Sequence, residues 1–339
     1  MSEDFLNGMA ASSRARSLGA QALISQTDLL AQAKDTPNPP QIAAGAGGFD
    51  LIAEVKLRSP AVGMLKGGDE NVGARVTSYA SAGAAAISVL TEPTRFDGSM
   101  EHLRLAAKAL TPMRVPAMRK DFLVDPYQVI EARVAGAGGV LLILRMLPQA
   151  QIEAMIEQAL ELKLFALLEA FDEQDIELAH ALAEKHSRSR ARASSASPRI
   201  ELLVGVNCRD LVTLKVVPGR LEALAHLLPT SVARVAESGV GNGEDARRVA
   251  AAGYDLALVG SALMTAPDPH AMASEMLGSG RAGHSEYAAR APGDHAHSQS
   301  APQATGSAVA AKSSTAAATS AANASRPATG GPAGKSRGA

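Results

Sequence analysis

Residues 115–128 read Val115-Pro116-Ala117-Met118-Arg119-Lys120-Asp121-Phe122-Leu123-Val124-Asp125-Pro126-Tyr127-Gln128. The run from Val115 is apolar and short, as a strand is. Pro126 then opens an apolar pattern of helical period, at a first helical position where a missing N–H costs nothing. An ammonium and a carboxylate, Lys120 and Asp121, therefore sit where a strand has ended and a helix has not begun. A loop lysine taken alone is ordinarily just solvated. Here the same arrangement recurs along the chain, and the recurrence decides the fold.

Strands are predicted at 49–55, 85–90, 115–119, 139–144, 164–168, 200–206, 232–236 and 255–259. Helices are predicted after them at 71–82, 99–110, 126–135, 148–162, 172–185, 218–227, 243–252 and about 269–277. One more helix, 17–33, precedes the first strand and is stopped by Asp35-Thr36-Pro37-Asn38-Pro39-Pro40. The strands are continuous apolar runs, as in parallel strands buried on both faces. Eight βα units with right-handed crossovers favour a closed barrel over an open sheet. Neither the first nor the last strand carries a dinucleotide-binding glycine fingerprint. The expected class is α/β, a (β/α)8 TIM barrel with an N-terminal extra helix and a disordered C-terminal tail.

Composition agrees. Apolar residues are 46% of 339, enough for a large core, and with 3% aromatics and no Trp that core must be aliphatic. The single cysteine, Cys208, excludes an intrachain disulfide and fits a reducing compartment. The acidic start has no long apolar run behind it, so no secretory signal is expected. No stretch approaches the ~18 apolar residues of a membrane span. The expected location is the cytoplasm. A net charge of −1 gives no reason to expect nucleic acid.

Residues 278–339 hold six Lys/Arg, two Asp/Glu and no Leu, Ile or Phe. Such a segment cannot offset its ordering entropy by burial. The domain reading is therefore 1–277, barrel with its N-terminal helical extension, and 278–339, an Ala/Ser/Gly/Pro-rich disordered tail. Truncation after Leu277 should then leave stability unchanged. The Arg/Ser-rich stretch 186–199 reads as a flexible insertion on the face opposite the site, and the glycine-bearing loop 56–70 as a lid.

In such a barrel the C-terminal strand ends converge on the active face. Here they carry Glu54 and Lys56, Arg119-Lys120-Asp121, Glu169, Asn207-Cys208-Arg209, Glu237-Ser238-Gly239 and Gly260-Ser261. Alternation along the first strand puts Glu54 and Lys56 on one side. A structural salt-bridge network is the plain alternative, but mouth charges cost desolvation and cluster where they are used. Glycines after the seventh and eighth strands let backbone N–H groups approach an anion, which points to a phosphorylated substrate. Cys208 has no neighbouring histidine and reads as a packed thiol. No metal-ligand spacing occurs in the globular part.

Five motifs resemble one family. They are Ile-Ala-Glu-Val-Lys-x-x-Ser-Pro from Ile52, Arg-Lys-Asp-Phe-x-x-Asp-Pro-Tyr-Gln from Arg119, Gly-Val-Asn-x-Arg-Asp-Leu from Gly205, Ala-Glu-Ser-Gly from Ala236 and Val-Gly-Ser-x-Leu-Met from Val259. Together they resemble indole-3-glycerol phosphate synthase, over about residues 24–276. The resemblance implies a carboxy-lyase of tryptophan biosynthesis with no cofactor and no metal. It implies decarboxylating ring closure of 1-(2-carboxyphenylamino)-1-deoxyribulose 5-phosphate to indole-3-glycerol phosphate. It also implies Lys120 as general acid, Lys56 paired with Glu54 in substrate holding and proton transfer, and Glu169 as the carboxylate of dehydration. Asn207, Arg209, Glu237 and Ser238 would contact substrate, Gly239, Gly260 and Ser261 its phosphate, and Ser59, Phe96 and Phe122 its anthranilate end. Crowding by Lys56 and the cavity is expected to lower the proton affinity of Lys120. Ala170-Phe171 departs from the family's usual continuation after Glu169. The partner reading is a small phosphosugar, no nucleic acid and no membrane, with the chain either a monomer or weakly associated with other tryptophan-pathway enzymes. Two other classes stay open on the residues alone: another phosphosugar enzyme on this barrel, an isomerase or aldolase, and a non-enzymatic scaffold with an interacting tail.

Overall fold

The computed structural model describes residues 2–42, 45, 47–67, 70–193 and 200–290. Eight parallel strands close into a barrel: Asp50–Val55, Ala86–Leu90, Ala117–Lys120, Gly139–Ile143, Phe165–Ala170, Leu202–Asn207, Ala233–Glu237 and Leu256–Val259. Each pairs with its sequence neighbours, and the eighth closes on the first through Asp50↔Leu256 to Ala53↔Val259. The expected TIM barrel is the fold observed.

Alternation along each strand explains the continuous apolar runs. Ile52, Ala86, Met118, Leu141, Leu167, Leu203, Val235 and Leu256 pack inside the barrel. Leu51, Ile87, Val140, Leu168, Val204 and Ala257 face the helices. Both sets are removed from water, each larger side chain contributing about 1.5–3 kcal/mol. One step further along, on the same inward parity, the interior turns polar. Ile52 is followed by Glu54, Met118 by Lys120, Leu167 by Glu169 and Val235 by Glu237. These four charged groups are thus gathered at the C-terminal end of the barrel, while Asp50, of the same parity, lies at the other end.

Short polar residues start the helices. Asn71 Oδ1 accepts from Ala74 N–H, Ser99 Oγ from His102 N–H, Asn242 Oδ1 from Asp245 N–H, and Asp125 Oδ1 from Tyr127 N–H beside Pro126.

Three expectations need correction. The single helix at 17–33 is two helices, Ser2–Leu23 and Gln26–Asp35. The break falls at Ser25, whose hydroxyl accepts from Asp28 N–H at 3.2 Å and starts the second helix. The first helix docks on the helix Pro126–Val134, with Tyr127 OH donating to Ala20 O and Ile24 O.

The helix after the fifth strand runs Glu173–Ala193, so residues 186–193 continue it where a flexible insertion was expected. Alanine and arginine favour helix there, and no Gly or Pro interrupts before Pro198. Residues 194–199 lie outside the described residues.

The last helix runs Pro269–Arg290, so 278–290 is ordered and the domain boundary at 277 is too early. Its glycines are contact points and not breakers. Gly280 lies on the Phe49 ring and Gly283 on the Arg247 backbone, each too close for a side chain. Beyond them the Arg234 guanidinium stands 5.4 Å over the Tyr287 ring. The rest of the expected tail, 291–339, lies outside the described residues.

Candidate active site

A cavity of about 500 Å³ opens at the C-terminal end of the barrel. Every residue to which the resemblance assigned a role lines it: Glu54, Lys56, Ser59, Phe96, Lys120, Phe122, Glu169, Asn207, Arg209, Glu237, Ser238, Gly239, Gly260 and Ser261. Seven of the eight strand ends bring them together because the barrel closes.

Lys120 is at the centre. Its Nζ stands 3.4 Å from Glu169 Oε2 and 3.4 Å from Glu237 Oε2. Asn207 Nδ2 donates to the other oxygen of Glu169 at 2.6 Å, and Asn207 Oδ1 accepts from Arg209 N–H. Burial alone would lower the proton affinity of Lys120, but Glu169, Glu237 and Glu54 outweigh it and raise it. The expected lowering is therefore wrong for the ligand-free site: nearby carboxylates decide, not the neighbouring lysine. Glu237 is pushed up to about 8 by burial first and by Glu169 next, with Lys120 pulling the other way.

Lys56 Nζ pairs with Glu54 Oε1 at 2.7 Å, so both face the cavity, as alternation requires. Glu54 Oε2 and Glu237 Oε1 are buried without a protein partner. Arg119, on the opposite parity, points away: it donates to Gln128 O at 2.8 Å and pairs with Glu131. Asp121 spends its carboxylate on Arg16 at 2.8 and 2.9 Å, Thr91 Oγ1 and Phe122 N–H. Against the cost of burial, the Arg16 and Arg119 guanidiniums with Thr91 hold it down at about 2.

The aromatic side lies past the second and third strands. The Phe96 and Phe122 centroids are 6.1 Å apart, and Phe5 meets Phe122 edge-on at 5.9 Å. Ser59, in the hairpin Arg58–Ser59/Gly63–Met64, is buried beside them. The opposite arc is polar backbone. Ser238 (φ 65°) and Gly239 (φ 74°) turn the chain sharply after the seventh strand. Cys208 Sγ sits 2.7 Å from where a Gly239 side chain would be, so that thiol is packing under the turn, and burial pushes its proton affinity up. After the eighth strand Gly260 leads into the short helix Ser261–Thr265, whose first intrahelical bond is Met264 N–H to Gly260 O. The amides of Ser261 and Ala262 precede that bond and suit an anion.

The sequence reading missed Phe5 and Leu6, which reach the cavity from the first helix. Their only signal was apolar spacing at the extreme N-terminus, which does not say what the helix covers. Phe171, noted as a departure, lines the cavity with Arg145 4.9 Å over its ring.

A parallel (β/α)8 barrel whose C-terminal cavity holds a lysine between two carboxylates, with phenylalanines and glycine-bearing turns also lining it, defines the TIM-barrel class of enzyme. The family model described as indole-3-glycerol phosphate synthase matches residues 9–276. The protein of that name from Mycolicibacterium gilvum (strain PYR-GCK) is 36% identical over 280 residues, 82% of this chain and 94% of its own. The one from Opitutus terrae is 37% identical over 74% of this chain and 90% of its own, and that from Nocardioides sp. 40% over 72% and 86%. The chain belongs to the indole-3-glycerol phosphate synthase family.

Proposed function

We propose that this chain is a carboxy-lyase that closes the ring of 1-(2-carboxyphenylamino)-1-deoxyribulose 5-phosphate, giving indole-3-glycerol phosphate, carbon dioxide and water. The observation that carries the reading is the ammonium of Lys120, set between two carboxylates in a cavity that phenylalanines and glycine-bearing turns also line. Phe5, Phe96 and Phe122 suit the carboxyphenyl ring; Gly239, Gly260 and Ser261 suit the phosphate. The ribulose ketone then falls near Lys120.

Attack of the ring carbon on the ketone builds negative charge on its oxygen, and Lys120 supplies the proton. Its raised proton affinity keeps it charged at neutral pH, so the proton is present to be given, although a lower affinity would give it up more readily. Loss of carbon dioxide needs no base. The new hydroxyl must then leave as water with an acid at its oxygen, while the amine proton goes to a base. Glu169, oriented by Asn207, is that base; Lys56, paired with Glu54, or Lys120 is the acid. Arg209, Glu237, Ser238 and Ser59 orient the substrate. The site acts in tryptophan biosynthesis, in the cytoplasm; no described helix is long and apolar enough to cross a membrane.

The direct experiment incubates purified protein with the carboxyphenylamino substrate and follows indole fluorescence. No fluorescent product at any substrate level would exclude this reaction. A Schiff base trapped at Lys56 or Lys120 by borohydride would move the site to aldolase chemistry.

A further inference from the structure

We infer that Gly205, in the sixth barrel strand, is a positioning residue for the proposed reaction: its missing side chain is the slot that seats the Glu237 carboxyl beside Lys120. The inference rests on that reaction and deepens it.

Gly205 has the inward parity of Leu203 and Asn207 and pairs with Glu169 on one side and Val235 on the other. Its backbone is ordinary strand, outside the positive-φ region, so conformation does not call for glycine. Glycine in a strand interior also weakens it. What the position does need is space. A methyl there would overlap Glu237 Oε1 and come within 3.0 Å of its Cδ and 3.2 Å of its Cγ. That oxygen is buried against strand six with no protein partner, while Oε2 reaches Lys120 Nζ at 3.4 Å. A side chain at 205 must drive the carboxyl off strand six. It would then swing into the substrate volume or away from Lys120. The slot is closely flanked: Gly205 pairs in register with Glu169, and Asn207, the next inward residue of the same strand, pairs with Glu237.

The test uses full-length protein carrying Gly205→Ala, Glu237→Asp, or both. Aspartate is one methylene shorter and relieves the overlap. Gly205→Ala should lower kcat about 10²-fold, the scale of a misplaced group near the reacting atoms. Adding Glu237→Asp to Gly205→Ala should restore kcat at least about tenfold, a coupling expected of touching groups. Should Gly205→Ala alone fail to fold, recovery of a folded, active double variant supports the slot, and an inert or unfolded double variant overturns it. Unchanged kcat in Gly205→Ala, or a loss that Glu237→Asp does not relieve, also overturns it. If the unmodified chain makes no indole product, the reaction itself falls and this inference with it, which is a different result from a Gly205 variant that works normally.

Discussion

Lys120 Nζ and Glu169 Oε2 face each other at 3.4 Å across the fourth strand of the barrel, one from the end of the third strand and one from the fifth. In the proposed reaction these are a proton donor and a proton acceptor, held by rigid strands at one point in the cavity. Two proton transfers can be divided between them without either moving far.

Replacing Lys120 with Met keeps the stem and removes the proton. We expect kcat to fall about 10²–10⁴-fold, the usual size for a general acid. Carbon dioxide release and indole formation should slow together, because ring closure precedes both. Near-normal turnover by fluorescence would reassign the acid, with Lys56 next in line.

Glu169→Gln should instead block the later step. Quenched samples should show carbon dioxide running ahead of indole, as an intermediate that has lost its carboxyl accumulates. The amide also disturbs the 2.6 Å bond from Asn207, so Asn207→Ala should move the same ratio in the same direction. Equal slowing of both products in Glu169→Gln would count against the assignment.

Gly260 joins two parts of the site. A side chain there would overlap Glu54 Oε1 and lie 2.8 Å from Lys56 Nζ, at the edge of the proposed phosphate rim. Gly260→Ala is therefore expected to raise KM and lower kcat together, where a pure phosphate contact would raise KM alone. Steady-state kinetics across substrate concentration separate the two.

The pH dependence of stability should carry the mark of Glu237. Its ordinary value is 4.5, and the fold pushes it to about 8. Below 4.5 the carboxyl is protonated folded or unfolded. Between 4.5 and 8 the unfolded chain releases the proton while the folded chain keeps it, so stability falls as pH rises through that window. Glu237→Gln should flatten this part of the curve. Denaturant titrations from pH 4 to 9 that fall equally for both proteins would exclude the coupling.

Truncation after Leu277 removes Gly280, Arg281, Gly283 and Tyr287 from their contacts with Phe49, Arg247 and Arg234. We expect the melting temperature to drop by about 5 °C or more, since each kcal/mol lost moves it about 2–4 °C in a domain of this size. Truncation after Arg290 keeps those contacts and is the control. Equal melting of the two truncated forms would return the boundary to 277.

The sequence by itself determined the barrel, the strands and which residues share its mouth. Eight apolar runs, most of them leading into chemically capable residues, are buried on both faces in a parallel sheet, their number favours closure, and closure brings Lys56, Lys120, Glu169 and Glu237 to one cavity. Helix ends were legible where a cap or proline marked them, as at Asp125-Pro126. They were misread at Ser25, where a cap inside an apolar pattern split one helix into two, and after Leu277, where a segment without Leu, Ile or Phe was read as unable to pack. Only the tertiary structure decided that Gly280 and Gly283 are contact points, because a glycine's role there depends on whether another element lies against it. The same holds for Phe5 at the aromatic wall, for Asp121 being spent on Arg16, and for the charge of Lys120. Local pattern fixes which way a side chain points, whereas proton affinity and close approach depend on what the rest of the chain places within a few ångströms.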